Sequence, residues 1–307
     1  MSARIVVVGS LNTDHVSRID RAPAAGETVL GHDFTTLLGG KGANQAVACA
    51  RMGASVAMVG CVGKDAGGKA LVEGLAAEGI DVTLVDVSPA IHTGTATIWV
   101  EADGQNRIVL APGANFAMDP SRIEQAGRLI DAATMLIVQL EIPLPVVEAA
   151  IERAKRSNVQ VLLNPAPAQD LPVSLLKQVD ILVINESEAS VLTGTVVSGP
   201  TSAGNAGAIL RARGPQCVLV TLGAQGVVIV DETGIRFAPA QVVRTVDTTA
   251  AGDTFIGAVS TALCQHQTLN HAVELGQAAS AICVGRRGAQ ASIPYRRELA
   301  AVETVPS

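Results

Sequence analysis

The chain has 307 residues, 48% of them hydrophobic and only 16% charged, which allows a sizeable core and excludes wholesale disorder. Length alone permits one large domain or two small ones. A formal net charge of −6 argues against nonspecific nucleic-acid binding, which needs a basic footprint, but leaves room for a local basic pocket for phosphate.

Arg4 runs directly into a strand-like segment at 5–9, so the N-terminus shows no apolar stretch of a secretory signal. That segment ends at Gly9 and is followed by Asn12 and Asp14, in a stretch of short strands and turns over about 12–38 with no helix. Gly39-Gly40-Lys41-Gly42-Ala43-Asn44-Gln45 then opens a helical pattern at 42–52, with Gly53 where a C-cap belongs. A strand at 56–62 and a helix at 69–78, closed by Gly79, come next. Residues 93–110 alternate, with Thr95 and Thr97 against Ala96 and Ile98, a turn at Asp103-Gly104, then Ile108 and Leu110. Asp119-Pro120 supplies an N-cap and first-turn proline for a helix at 121–133. Strands at 135–140, 159–164 and 181–184, with a helix at 146–157 between the first two, lead to Glu141, Asn164, and Asn185 with Glu188. The stretch 196–205, rich in Gly, Ser and Thr, reads as a surface loop beside a helix at 203–213. Strands at 218–221 and 227–230 flank Gly223 and Gly226, and a last helix runs through 256–263.

Strand–helix alternation of this kind predicts an open, mostly parallel sheet with helices on both faces. Scarce aromatics and abundant Ala, Val, Ile and Leu fit buried parallel strands under tightly packed helices. The two helix-free stretches predict either a small accessory sheet over a site or an ordinary edge hairpin. Five scattered cysteines, Cys49, Cys61, Cys217, Cys264 and Cys283, include no C-x-x-C pair. Their odd number predicts neither structural disulfides nor a zinc site, hence a reducing, cytoplasmic setting. No apolar run approaches the roughly 20 residues that cross a bilayer.

In open α/β sheets, ligands bind beyond the carboxyl ends of the strands. Each predicted strand delivers a polar residue or glycine to that rim. The strongest segment is Asp247-Thr248-Thr249-Ala250-Ala251-Gly252-Asp253-Thr254-Phe255, which enters a helix. Small residues there let backbone N–H groups converge on an anion, and Asp253 stands where it can accept a proton from an attacking hydroxyl. The same segment can also be a plain helix N-cap with glycine for packing. The Gly39–Gln45 run lets backbone approach a ligand closely, with Lys41 for phosphate charge and Asn44 for a hydroxyl. Its spacing is not that of a P-loop. Thr221-Leu222-Gly223-Ala224-Gln225-Gly226 is either a nucleotide-binding turn or a simple β-turn. No H-E-x-x-H, no G-x-S-x-G and no G-x-G-x-x-G after the first strand is present, which weakens zinc-protease, esterase and dehydrogenase readings.

Taken in order, these segments resemble the ribokinase family of carbohydrate kinases. The match runs from Val8-Gly9-Ser10-Leu11-Asn12-Thr13-Asp14 through the Gly39–Gln45 run and Pro112-Gly113-Ala114-Asn115. It continues through Gln139-Leu140-Glu141, Asn164-Pro165-Ala166-Pro167-Ala168, Asn185-Glu186-Ser187-Glu188 and Thr221-Leu222-Gly223. The 247–253 segment and Arg287-Gly288-Ala289-Gln290 close it. The resemblance implies one Rossmann-like αβα domain over 1–307, a β-sheet lid formed by about 12–38 and 93–110, and a homodimer through paired lids. It implies that Asn12, Asp14, Gly40, Lys41, Asn44 and Glu141 hold sugar hydroxyls and that Asp253 is the base. Ala250, Ala251 and Gly252 form the anion hole on this reading. Asn185 and Glu188 organise Mg²⁺ and phosphate, and Thr221, Gly223, Gly226 and Gly252 serve ATP. Asp247, Thr249, Cys283, Arg286, Gly288 and Ser292 surround K⁺, several through backbone carbonyls. The implied reaction moves phosphoryl from ATP to the 5-hydroxyl of D-ribose, since a carboxylate at Asp14 suits a 2,3-diol. Deoxyribose, fructose or adenosine are alternative acceptors, and a non-catalytic sugar-binding protein is a remoter one.

Overall fold

The structure is a computed structural model that describes residues 4–102 and 106–299. In chain order the first half forms β1 (Arg4–Val8), β2 (Asn12–Ile19), β3 (Gly31–Gly39), α1 (Lys41–Arg51), β4 (Ser55–Gly63), α2 (Ala66–Ala77), β5 (Asp81–Ser88), β6 (Gly94–Val100) and β7 (Asn106–Ala111). Next come α3 (Pro120–Gln125), α4 (Gly127–Asp131), β8 (Met135–Val138), α5 (Leu144–Arg156), β9 (Gln160–Leu163), α6 (Val173–Leu176), β10 (Ile181–Asn185), α7 (Glu186–Thr193) and α8 (Pro200–Ala212). The remainder is β11 (Cys217–Thr221), β12 (Gly226–Asp231), β13 (Gly234–Pro239), α9 (Ala251–Cys264), α10 (Leu269–Val284) and α11 (Arg296–Leu299).

Nine strands make the main sheet in the order β13-β12-β11-β10-β9-β8-β1-β4-β5, parallel from β11 to β5 and antiparallel at β12 and β13. Its centre is dry on both faces. In β1, Ile5 and Val7 join the core under α1, α2, α9 and α10, while Val6 and Val8 join the core under α3, α4, α5, α7 and α8. A strand buried on both sides needs an unbroken apolar run, and Ile5-Val6-Val7-Val8 is one.

The second sheet, in the order β3-β2-β6-β7, settles the choice between accessory sheet and edge hairpin. Its β2 pairs antiparallel with β3 and parallel with β6, setting Asp14 opposite Leu37 and Ala96. Alternation then aims Asp14, Val16 and Arg18 at a cavity of about 440 Å³ whose other wall is Val246, Asp247, Thr248, Thr249 and Gly288. The small sheet therefore stands over the carboxyl end of the large one. The turn expected at Asp103-Gly104 lies outside the described residues.

Three details differ from the sequence reading. Residues 196–205 are not all loop, because α8 begins at Pro200; Ser202 Oγ accepts the N–H groups of Ser198 and Gly199, so the small polar residues form its cap. The helix at 121–133 is two helices broken at Ala126, where the Arg153 guanidinium lies against Gly127. β5 and β13 escaped detection: both are sheet-edge strands, half exposed, with charges at Asp81, Asp86 and Arg236 interrupting the apolar pattern. The capping glycines hold: Gly53 and Gly79 have φ of +96° and +76°.

Helices α1 and α9 cross at Gly257, where a Cβ would lie 2.3 Å from Ala48 Cβ. This close crossing sets Asn44 and Gln45 of α1 beside Asp253 of α9. Gly257→Val is expected to cost about 1–3 kcal/mol by overpacking and to pull Asp253 away from α1. Urea unfolding and activity on one preparation check both effects; unchanged values for both would show that the crossing has slack.

Candidate active site

The N-terminus of α9 is built by a tight turn. Asp247 Oδ1 accepts from the Thr249 amide at 2.9 Å and hydroxyl at 2.7 Å, while Oδ2 accepts from the Gly288 amide at 3.0 Å. Ala250 takes the left-handed conformation with φ of +60°, uncommon for a residue other than glycine. The amide of Ala251 turns back to the Thr248 carbonyl at 3.2 Å and that of Thr254 to Ala250 at 2.8 Å. Between them the amides of Gly252 and Asp253 find no acceptor among the described residues. They are orphan donors at the positive end of a helix dipole, a site for an anion. An anion bound there would draw its donors from Gly252 and Asp253, while Ala250 and Ala251 shape the turn. A Cβ on Gly252 would meet open space, so the approach is clear.

Asp253, 8% exposed, sits at this opening. Its Oδ2 accepts from Asn44 Nδ2 at 3.0 Å and its Oδ1 from Gln45 Nε2 at 2.9 Å. Asn44 Oδ1, at the other end of its amide, is buried without a partner among the described residues.

Opposite lies the start of α1. Gly40 has φ of +89°, and a Cβ there would fall 2.7 Å from the Asn12 amide; a Cβ on Gly39 would fall 2.2 Å from Asp14 Oδ2. The glycines let backbone and carboxylate share a space that no side chain could enter. Glu141 Oε2 accepts from Ser10 Oγ at 2.6 Å, Asn12 Nδ2 at 3.3 Å and the Lys41 amide at 3.2 Å. Asn115 bonds both backbone groups of Leu11 and donates to Asn12 Oδ1 at 2.7 Å, which points the Asn12 NH₂ at Glu141.

Charge is crowded here. Burial, with Glu141 and Asp253 nearby, pushes Asp14 up to about 7, against the opposing pull of Lys41. Burial also acts to lower the Lys41 ammonium, but Asp253, Glu141, Glu188 and Asp14 outweigh it and hold the group above its usual value. Glu188 is raised by burial, opposed by the Asn185 amide and Lys41.

Asn185 and Glu188 form a reciprocal cap on α7, the Asn185 amide donating to Glu188 Oε2 at 2.9 Å and the Glu188 amide to Asn185 Oδ1 at 2.8 Å. Thr221, Gly223 and Gly226 line a cavity of about 360 Å³ that reaches Ala251 and Gly252. In the third cluster, Cys283 Sγ, a thiol raised by burial, lies 3.6 Å from the Thr249 carbonyl and 3.1 Å from Ser292 Oγ. Arg286 extends its guanidinium to Glu298, so any part it takes in that cluster falls to its backbone.

The predicted residues thus gather in one continuous region. The sequence reading placed Asn164 at the rim but missed Ser10, Gln45, Asn115 and Gln139 in the polar pocket, and 240–243 and Thr245 with Gln277, Ser280, Ala281 and Val284 at the cavity. The last four are spaced as one helical face, but small apolar residues there look like core.

The pfkB family of carbohydrate kinases matches residues 2–296. The chain is 43% identical to the ribokinase of Haemophilus influenzae over 298 residues, 97% of each protein. It is 42% identical to the ribokinase of Mus musculus over 303 residues, 97% of this chain and 94% of that one. The structure superposes on Arabidopsis thaliana ribokinase complexed with ribose and ATP with a TM-score of 0.93, at 32% identity and full coverage of both chains.

An acid held near pH 7 when folded and near 3.8 when unfolded binds more protons in the folded state between those values. Stability of the free protein therefore falls as pH rises from about 4 to 7 through this group. Asp14→Asn removes that component, and melting temperatures across pH should show a flatter acid-to-neutral profile. A variant profile parallel to the parent would place the titration elsewhere.

Proposed function

The chain belongs to the pfkB family of carbohydrate kinases, and we propose that it transfers the γ-phosphoryl group of ATP to the 5-hydroxyl of D-ribose. The observation that carries this reading is Asn44: its NH₂ holds Asp253 while its buried Oδ1 lacks a partner, leaving an acceptor for a hydroxyl beside a carboxylate base and an anion site. Leaving that oxygen unmet costs about 1–3 kcal/mol, which a sugar hydroxyl would recover.

Ribose lies among Asn12, Asp14, Gly40, Lys41, Asn44 and Glu141, with Asp14 accepting from adjacent hydroxyls. Binding holds Asp14 ionised, because a hydroxyl donor stabilises the charged form. Asp253 takes the proton of the 5-hydroxyl as its oxygen bonds to the γ-phosphorus. The bond from that phosphorus to the β,γ-bridging oxygen breaks, and ADP leaves. The Gly252 and Asp253 amides receive the phosphoryl oxygens, and Lys41 balances charge. ATP lies along the cavity of Thr221, Gly223, Gly226 and Gly252.

The donor set suits Mg²⁺ carried mainly by phosphates and water: among the described residues no three His, Cys, Asp or Glu side chains are placed to hold a metal ion by themselves, while Glu188, capped by Asn185, acts on Lys41. When bound, that ion neutralises phosphate charge. K⁺ suits the turn of Asp247, Thr249, Cys283, Gly288 and Ser292, with the Arg286 backbone, where one carboxylate already gathers the loop. It lends fixed positive charge beside the anion hole.

The whole chain acts as one domain with the small sheet as lid. A second copy covers the lid's outer face, where Phe34 is 62% and Val109 is 66% exposed. The five unpaired cysteines support a cytoplasmic setting, and no helix among the described residues is long and apolar enough to cross a membrane.

ADP release with Mg²⁺ across ribose, deoxyribose, fructose, adenosine and fructose 6-phosphate is expected to favour ribose, and more strongly in potassium than in tetramethylammonium. Asp253→Asn should keep ribose affinity and lose roughly 10² or more in turnover. Another preferred acceptor would move the assignment within the family; equal rates in both buffers would remove K⁺; near-parental turnover of the variant would remove the base. Light scattering should give the dimer mass, and Phe34→Glu with Val109→Glu should give the monomer; a parental monomer would refute lid pairing.

A further inference from the structure

We infer that Gln45 is the positioning residue of the base, aimed by a chain of buried amides whose polarity is set by one backbone carbonyl. The inference rests on the reading of Asp253 as base. Val183 lies within β10 and its carbonyl can only accept. Asn164 Nδ2 donates to it at 3.0 Å, which turns Asn164 Oδ1 toward α1. That oxygen can only accept, so Gln45 presents Nε2 to it, at 3.2 Å. The same NH₂ group gives its other hydrogen to Asp253 Oδ1 at 2.9 Å. At the far end Gln45 Oε1 accepts from Gln139 Nε2 at 2.6 Å. Flipping any of the three amides would face oxygen against oxygen at one of these contacts.

Two observations argue against mere packing. Gln45 and Gln139 are fully buried and Asn164 nearly so, positions where apolar side chains of similar size cost less. Gln139 is moreover accommodated at a sacrifice: its Oε1 is buried without a partner and lies 1.9 Å from where a Cβ on Gly9 would stand. Gly9, which the sequence placed at the ligand rim, admits Gln139. With Asn44 on Oδ2 and Gln45 on Oδ1, each oxygen of Asp253 receives one neutral donor. The carboxylate plane is thereby fixed, and lone pairs remain for the substrate proton.

Asp253 is faced by Asp14 from β2, Lys41 from α1, Glu188 from α7 and Cys283 from α10, with Glu141 acting on Lys41 and Asp14. Substitution of Gln45 leaves all of these in place. Donation from Gln45 favours the charged form that the base needs, so its loss weakens catalysis most on the acid side. The acid limb of kcat is the readout, since it reports the saturated complex, in which the sugar hydroxyls hold Asp14 ionised.

Gln45→Met is expected to lower kcat about tenfold, to leave KM for ribose and ATP within about twofold, and to move the acid limb up by about one pH unit. Gln139→Met frees the far end of Gln45 and should move the limb the same way by less. If Gln45→Met does not fold, Gln139→Met decides alone. Unshifted limbs, with kcat lowered or not, would overturn the proposal and leave these amides structural. Asp253→Asn in the same series separates the premises: near-parental turnover there refutes the base, whereas an inactive Asp253→Asn with unshifted glutamine variants refutes only the relay.

Discussion

The site depends on one electrostatic constraint: Asp14, Glu141, Glu188 and Asp253 share the field of a single ammonium, Lys41. Fully ionised, the group carries an excess of three negative charges. Two charges even 6 Å apart repel by about 3 kcal/mol at an effective dielectric of 20. Each carboxylate meets this differently. Asp14 holds its proton up to about pH 7. Glu141 gathers donors from Ser10, Asn12 and the Lys41 backbone, and Glu188 takes the Asn185 amide. Asp253 receives two side-chain amides and stands at the N-terminus of α9. The division follows geometry: Asp253 lies in the first turn of α9, Glu188 in the first turn of α7, and Glu141 against the first amide of α1. Asp253 is also the carboxylate that serves as base on the proposed reading.

Close approach is the second requirement, and glycine meets it in two distinct ways. At Gly39, Gly40 and Gly42 a Cβ would strike Asp14 or the backbone of 9–12, so the loop before α1 lies on the loop after β1. At Gly257 a Cβ would strike Ala48, so two helices cross where their N-terminal residues can share hydrogen bonds. The first group brings ligand-facing atoms together. The second makes the angle between α1 and α9 that lets Asn44 and Gln45 reach Asp253.

Much of this was legible in the sequence because the signals are local. β1, β8 and β10 are unbroken apolar runs, and the polar residues just past them mark the rim. The turn at 247–253 is spelled by its small residues. Non-local partnerships carry no such signal. Gln45 and Gln139 are 94 residues apart, Asn115 and Asn12 are 103, and nothing in either neighbourhood announces the pairing. A buried glutamine in a helix reads as a polar residue on an exposed face. The edge strands β5 and β13 were missed for the opposite reason, since half-exposed strands show neither full burial nor clean alternation. The stretch 196–205 misled because Gly, Ser and Thr serve caps as readily as loops.

These threads meet in how the pocket divides its labour. Asn12 is already held at both ends, by Asn115 on its oxygen and Glu141 on its nitrogen, so its amide cannot rotate to suit an arriving ligand. Asn44 is held at one end only, and its oxygen, like that of Gln139, has no partner among the described residues. Asp14, pushed up to about 7, has a protonation state that a hydroxyl ligand can change at neutral pH. A rigid amide, a half-satisfied amide and a titratable acid therefore line one wall, and of these the last two are the ones a hydroxyl ligand could alter. Asn44 Nδ2 grips Asp253, so on the proposed reading a hydroxyl that meets the other end of Asn44 also steadies Asp253, and occupying the pocket and fixing the base become one physical event.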